Sequence, residues 1–177
     1  MFLSRLISPL IGHAETRLGV SLDYTRKIAE TDIWLLIRYN KIFGFLDPNR
    51  NVPPAAYHVA RLRGAVASDC GTCVTAEINL AKAAKVPASM IDEVLSGSYE
   101  KLPEEISAVA VLTDNTVGNR QDDTESRNTV RQYYGEAGLI ELSYAMNGAA
   151  LLPGIKRAMG YAVTCDLDMA RKLSKKG

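Results

Sequence analysis

The sequence predicts an all-α fold. Helix signals recur along almost the whole chain, whereas no alternating pattern of apolar and polar residues is long enough to predict a β-strand. The chain has 177 residues, of which 47% are hydrophobic and 23% are charged. This composition fits one globular domain that buries about 70% of the surface of its unfolded chain. We therefore expect residues 1–177 to form a single all-helical domain.

The first fifty residues, 1–50, predict an N-terminal layer of helices. Residues 1–14 contain a short apolar run that Ser8 and Pro9 interrupt, which indicates an amphipathic first helix rather than a signal peptide. Thr31 is a residue type that begins helices, and we expect it to cap the third one. The second helix, the third helix and a following turn are expected at 21–30, 31–46 and 47–51.

Prolines, glycines and acidic residues mark the later helices. Prolines near the start delimit helices at 52–67 and 86–97, and Gly97 ends the second. Glu104 and Glu105 favour the positive end of the next helix dipole. The polar stretch 114–126 predicts the longest loop, and helices follow at 127–135, 137–151 and 154–164. The domain thus divides into a core motif at 53–97, remaining helices at 102–165 and a frayed basic tail at 170–177.

Two of the three cysteines lie in one C-x-x-C motif, formed by Cys70 and Cys73. In a reducing cytosol such a motif is more often catalytic or metal-binding than a structural disulfide. With Ser68 or Asp69 as the cap, a helix that begins here places both cysteines and Glu77 on its inward face. Thiols at a helix N-terminus become more acidic, so the motif predicts a reactive dithiol. The opposite face of this helix carries Thr72, Thr75, Asn79 and Lys82.

The preceding helix contributes a second ionisable group to the expected core. His58 lies on the apolar face of that helix, whereas Arg61 lies off its centre. If the two helices pack as a hairpin, His58 approaches the cysteines and joins Cys70, Cys73 and Glu77 in one cluster. A buried carboxylate needs a hydrogen-bond donor or becomes protonated. Glu77 therefore meets this cluster, pairs with Arg61 or projects through a gap in the packing.

Residues 53–97 resemble the carboxymuconolactone decarboxylase-like superfamily, and particularly its alkylhydroperoxidase D-like (AhpD-like) branch. These are all-helical proteins with a C-x-x-C motif at the start of a core helix. The branch has a glutamate twelve residues before the first cysteine and a histidine four residues after the second. Here those positions hold His58 and Glu77, so the acid and the imidazole have exchanged places. The segments 57–73 and 139–163 also look like the family, whereas the N-terminal fifty residues match loosely.

This resemblance implies a thiol-dependent peroxidase or disulfide oxidoreductase. In such relatives the second cysteine attacks the hydroperoxide, and the first condenses with the resulting sulfenic acid to form a disulfide. Carried over, Cys73 is peroxidatic and Cys70 is resolving, with Glu77 as proton acceptor and His58 orienting or relaying. The residues alone leave the order open, because Cys70 lies nearer the helix dipole. The expected partners are a hydroperoxide and a dithiol, thioredoxin-like or lipoyl reductant, with no cofactor.

Three alternatives stay open. Two thiolates, an imidazole and a carboxylate have the ligand types of a structural zinc site. A lyase like the superfamily's namesake decarboxylase works without a dithiol and would leave the C-x-x-C motif without a role. A non-catalytic helical oligomer with a vestigial site would account for the exchanged glutamate and histidine.

Charge and hydropathy argue against several partners. The net charge of +1 gives no long-range field to attract nucleic acid, and no apolar run approaches the roughly 20 residues of a membrane helix. We therefore expect a cytoplasmic protein. The apolar run from Trp34 to Ile37 predicts burial on several sides, at a contact within a homo-oligomer. Cys165 is expected to be a packed thiol without a partner.

Overall fold

The computed structural model describes residues 2–46 and 51–175, with side chains from residue 8 onward. These residues include nine α-helices. No strand occurs in these two ranges, so the all-α prediction is confirmed. The helices are α1 Phe2–Leu18, α2 Asp23–Thr31, α3 Ile33–Asn40, α4 Pro54–Ala67, α5 Gly71–Ala83, α6 Ala88–Ser96, α7 Glu104–Thr113, α8 Thr124–Ala158 and α9 Leu167–Lys175.

Helix α4 lies at the centre of the main core. It packs against α5, α7 and α8, and its alanines and branched residues leave almost no surface exposed. At Gly64 a Cβ atom would lie 2.3 Å from the carbonyl oxygen of Met146, so α4 and α8 touch through their backbones. Only glycine permits this approach, which fixes α8 beside the helix that leads into the C-x-x-C motif.

The N-terminal helices form a second layer with its own apolar cluster. The layer packs against Leu152 and Ile155 of α8 and against Met159, which caps that helix. Its buried members are Ile11, Tyr24, Ile28, Ala29, Leu36 and Tyr39. The layer also contacts α5, where Asn79 Nδ2 donates to the carbonyl oxygen of Leu18 at 2.8 Å. The expected N-terminal layer is therefore present, and it covers the cysteine-bearing helix.

The boundary between α2 and α3 differs from the prediction by one residue. Asp32, not Thr31, caps α3: its backbone is extended and its carboxylate accepts from the amide of Trp34 at 2.8 Å. Thr31 ends α2 instead, and its hydroxyl donates to the carbonyl oxygen of Lys27. The helix expected at 31–46 ends at Asn40 and continues as a 3₁₀ helix, Lys41–Leu46. Most of the turn expected at 47–51 lies outside the described residues.

The prediction of a long loop at 114–126 is wrong at both ends, because only residues 120–123 lie outside helices and α8 begins at Thr124. A π-helical turn, Asp114–Asn119, continues α7. Arg63 Nε donates to Asp114 Oδ1 at 2.7 Å, and the hydroxyl of Tyr99 donates to Asp114 Oδ2 at 2.6 Å. These contacts attach the turn to the rest of the core, so a polar sequence forms an ordered element rather than a loop.

The C-terminal third also departs from the prediction. The helices expected at 127–135 and 137–151 are joined in α8, interrupted only by Gly135 with φ +69° and ψ −178°, a conformation essentially restricted to glycine. The helix expected at 154–164 ends at Ala158. The tail expected from 170 is instead part of α9, because Ala170 and Ser174 are buried there. Asp92 of α6 accepts from Arg171 Nε at 2.8 Å.

Within the described single chain, α3 buries only part of its apolar run, and the expected contact within a homo-oligomer stays a prediction. Leu36 is buried, whereas Trp34 is 69% exposed and its neighbours Leu35 and Ile37 are more than 40% exposed. No helix within the described ranges is long and apolar enough to cross a membrane.

Replacement of Gly64 tests the close contact between α4 and α8. We expect Gly64→Ala to lower the free energy of unfolding by about 1–3 kcal/mol, because its Cβ would overlap the Met146 carbonyl and force the helices apart. The control is Gly154→Ala in α8, where a Cβ meets no atom within 4 Å and a gain of up to about 1 kcal/mol is expected. Equal stabilities of the two variants in urea titrations would contradict the contact.

Candidate functional site

The turn between α4 and α5 places Cys70 at the start of the second helix. Asp69 has a left-handed backbone with φ +48°, and Cys70 is extended at the N-cap position. The predicted cap, Ser68 or Asp69, is therefore wrong by one or two residues. Both side chains bind elsewhere: Ser68 Oγ donates to the carbonyl oxygen of Ala150 at 3.3 Å, and Asp69 Oδ1 accepts from the amide of Cys165 at 2.8 Å.

The segment between α8 and α9 packs directly on this turn. The amide of Gly71 donates to the carbonyl oxygen of Val163 at 3.0 Å, and a Cβ at residue 71 would lie 2.9 Å from the carbonyl oxygen of Thr164. Cys165 therefore lies beside the motif rather than far from it. Burial, followed by the nearby charges of Asp69 and Cys70, raises the pKa of its thiol, which keeps it protonated.

The two motif cysteines have unequal environments. Cys70 is fully buried, whereas Cys73 is partly exposed. A hydrogen bond from Cys73 lowers the pKa of Cys70 to about 5, with smaller contributions from Thr72, the amide of Cys73 and the charge of Lys156. The same hydrogen bond, with burial, raises the pKa of Cys73. The pair therefore loses its first proton at low pH and retains the second, as a monoanion that shares one proton.

Lys156 is the cation whose charge helps to lower the pKa of Cys70. Its side chain comes from α8 and is only 5% exposed. Nζ donates to the hydroxyl of Thr72 and lies 5.1 Å from the centroid of the Tyr24 ring, a cation–π distance. Thr72 Oγ1 is in turn 3.6 Å from Cys70 Sγ. Thr72, expected on the outer face of α5, thus links the lysine to the thiol.

Glu77 is buried and paired with Arg61, which was one of the readings that the sequence left open. Arg61 Nε and Nη2 donate to the two carboxylate oxygens, each at 2.8 Å, and Arg61 Nη1 donates to the hydroxyl of Tyr57 at 3.3 Å. The side chains of the pair are 10% and 7% exposed. This bidentate geometry gives each carboxylate oxygen a charged donor, and the charge of Glu77 is one cause of the raised pKa of Cys73.

The structure does not bring His58 into this group. Its ring packs edge-on against Tyr57, with centroids 5.4 Å apart, and within the described chain its buried Nδ1 has no hydrogen-bond partner. Burial, and then the charge of Arg61, lower the pKa of His58 to about 4. The expected cluster of four therefore reduces to Cys70, Cys73 and Glu77, because Arg61 occupies the place beside Glu77.

A cavity of about 410 Å³ opens between the N-terminal layer and α5. Its volume is within the range of small-molecule sites. Most of its lining is apolar, and its polar groups include Cys73, Lys156 and the Arg61–Glu77 pair. The hydroxyls of Tyr24 and Tyr39, 2.5 Å apart, are also in the wall. The more exposed cysteine of the pair thus lines a half-open, mostly apolar cavity.

The four residues expected to bind zinc do not form a metal site. Among the residues that the structure describes, no group of three or more histidine, cysteine, aspartate or glutamate side chains is arranged to hold a metal ion. His58 lies apart and Glu77 already has a guanidinium partner. The donor set that zinc requires is therefore not assembled.

Comparisons with protein-family models, with curated proteins and with solved structures found no match to this chain. The family resemblance of residues 53–97 stays a prediction. What the site can do follows from the chemistry of its own side chains.

Sequence reasoning missed Lys156 and the tyrosines of the cavity. Lys156 lies among apolar residues of α8, one helical turn after Leu152 and next to Ile155. A lysine within the apolar stripe of a helix was the available signal, since such a position needs an anion or a polar acceptor. Tyr24 and Tyr39 gave no comparable signal, because aromatic residues on an amphipathic helix are ordinary core residues.

Removal of Arg61 tests the buried ion pair. We expect Arg61→Met to lower the free energy of unfolding by about 3–5 kcal/mol, because Glu77 is left buried without its donors. Combining Arg61→Met with Glu77→Met should restore most of the loss. The control is Arg127→Met, which removes an exposed pair with Asp122 worth about 0–1 kcal/mol. Equal losses for the two single variants would contradict a buried pair.

His58 should make the protein sensitive to mild acid. Its folded pKa of about 4 is below the ordinary value near 6.5, so between these pH values the unfolded chain binds a proton that the folded chain does not. Stability should fall as the pH drops through this window. In His58→Phe the loss between pH 7 and pH 5 should be smaller by about 1 kcal/mol, allowing for partial exposure. An equal reduction in His13→Phe, at an exposed site, would exclude this origin.

Proposed function

We propose that the protein is a thiol-dependent oxidoreductase that reduces hydroperoxides through a Cys70–Cys73 redox pair. The observation that carries this proposal is a dithiol with one buried, acidic thiol, Cys70, whose partly exposed partner Cys73 lines an apolar cavity. A thiolate is the form that attacks peroxides and disulfides. The apolar cavity lining favours an organic hydroperoxide as the substrate.

The shared proton reconciles the acidity of Cys70 with the accessibility of Cys73. Passing the proton from Cys73 to Cys70 along their hydrogen bond gives a thiolate that faces the cavity. Cys73 then attacks the outer peroxide oxygen, the O–O bond breaks, and the leaving alkoxide takes the proton from Cys70. The Cys70 thiolate attacks the sulfenic acid on Cys73, forms the disulfide and releases hydroxide, which a solvent proton converts to water.

An external dithiol completes the proposed cycle. It attacks the Cys70–Cys73 disulfide, forms a mixed disulfide, and leaves as its own disulfide while the enzyme pair is reduced. Glu77 does not carry a proton in this scheme. Because it is paired with Arg61, it supplies a negative charge in the wall of the cavity. The contacts of His58 give no support to the relay role expected from the sequence.

The other expected functions have less support. A zinc site lacks its assembled ligands, and no feature of the cavity favours a lactone over a peroxide. Self-association stays a proposal. It is supported by the exposed apolar residues of α3, above all Trp34, because exposed apolar patches often mark contacts between proteins. An oligomer and a redox function are compatible.

Treatment with one equivalent of cumene hydroperoxide tests the proposed peroxidase activity. We expect the pre-reduced protein to lose two hydrogens by intact mass, with the new disulfide mapped to Cys70 and Cys73. Cys165→Ser should react like the wild type. Cys70→Ser should react more slowly, because Cys73 loses the group that accepts its proton, and should stop at a sulfenic acid on Cys73 that dimedone traps. If the thiols are unchanged after the peroxide has been added in excess, the proposal is wrong.

A further inference from the structure

Lys156 is a buried ammonium without a carboxylate partner. Its residue surface is 5% exposed, and none of the ion pairs found among the described residues includes it. Its neighbours are a neutral hydroxyl, that of Thr72, and the face of Tyr24. Removing an ammonium from water costs several kcal/mol unless an anion or several acceptors compensate it. The fold therefore places a positive charge here for which the usual anion is lacking.

The reduced dithiol is the group that can supply the negative charge. Thr72 Oγ1 accepts from Lys156 Nζ and lies 3.6 Å from Cys70 Sγ. The chain of contacts from ammonium to hydroxyl to sulfur is short and mostly buried, and Lys156 also lines the cavity with Cys73. In such a setting, opposite charges interact more strongly than in water.

The other charged and titratable groups around the dithiol do not replace this pairing. Glu77 is negative but has Arg61 as its own partner. Tyr24 and Tyr39 have raised pKa values because they are buried, so both are neutral. The groups of each neighbouring element are Arg17 in α1, Tyr24 in α2, Tyr39 in α3, Arg61 in α4, Glu77 in α5, Lys156 and Arg157 in α8, and Asp69, Cys165 and Asp166 in the connecting segments. Arg157 has Asp69 as its own partner.

We propose that Lys156 is a positioning residue that pairs with the reduced Cys70–Cys73 monoanion through Thr72 and thereby makes the Cys70–Cys73 disulfide oxidising. The inference rests on the proposed function, in which the pair cycles between dithiol and disulfide. Reduction by two equivalents of glutathione forms glutathione disulfide, breaks the Cys70–Cys73 bond, leaves one thiol and one thiolate on the protein, and releases one proton. Oxidation removes the anion and leaves Lys156 without a counter-ion. The reduced form is therefore favoured, which raises the reduction potential.

The first test measures the charge pairing without any oxidant. The rate of iodoacetamide alkylation of the reduced pair is followed against pH by peptide mass spectrometry, in wild type, Lys156→Met, Lys156→Arg and Lys82→Met. Lys82 is the matched control, because its ammonium is also partly buried and donates to an oxygen, the carbonyl of Leu173. We expect the midpoint to rise by about one pH unit or more in Lys156→Met, and to stay near the wild-type value in Lys156→Arg and Lys82→Met.

The second test measures the potential in glutathione buffers. We expect the equilibrium constant for reduction by glutathione to fall about tenfold in Lys156→Met, which corresponds to about 30 mV, and to be unchanged in Lys82→Met. Thr72→Val keeps Lys156 and the shape of the side chain at residue 72 but removes the bridging hydroxyl. We therefore expect it to raise the alkylation midpoint and to lower the equilibrium constant for reduction, as Lys156→Met does. Far-UV circular dichroism checks the fold of each variant, and Thr72→Val decides the matter if Lys156→Met does not fold.

An alkylation midpoint in Lys156→Met or Thr72→Val equal to that of Lys82→Met would overturn the pairing. If wild type forms no Cys70–Cys73 disulfide at any glutathione ratio, the proposed function and the redox half of this inference are both wrong. The alkylation midpoint still decides the charge pairing in that case, because no oxidation enters its measurement.

Discussion

The buried ion pair between Arg61 and Glu77 is the interaction on which the geometry of the site depends. It joins α4 to α5 by two hydrogen bonds of 2.8 Å. Both residues also line the cavity that Cys73 faces. Because breaking a buried pair is costly, the two helices are constrained in rotation as well as in distance. That constraint sets which face of α5 carries the cysteines towards the N-terminal layer.

The pair also decides which charges are left for the thiols. With Glu77 paired with Arg61 and His58 kept neutral by burial, Lys156 is the cation whose charge lowers the pKa of Cys70. The N-terminal layer makes this charge effective, since Tyr24 packs against Lys156 and leaves the lysine only 5% exposed. In these apolar surroundings the positive charge lowers the first pKa of the dithiol more than it would at a solvated helix end.

The sequence was sufficient for local features and insufficient for distant contacts. The C-x-x-C motif at the start of a helix and the inward position of Glu77 follow from helical periodicity, and the structure has both. The partner of Glu77 could not be chosen, because His58 and Arg61 are one turn apart and only the rotation of α4 selects between them. Lys156 lies 84 residues after Thr72, a contact that the path of α8 creates. The C-terminal tail looked frayed because its stabilising partner, Asp92, belongs to a distant helix.

The central claim is that the reduced protein carries one buried negative charge shared by Cys70 and Cys73. The most direct measurement is the ultraviolet absorbance of the thiolate in the reduced wild-type protein, titrated from acid to mildly alkaline pH. The account predicts one thiolate per chain with a midpoint near pH 5 and no second step before alkaline pH, because the pKa values of Cys73 and Cys165 are raised. Absorbance that first rises near pH 8.5, the range of an ordinary thiol, would contradict it.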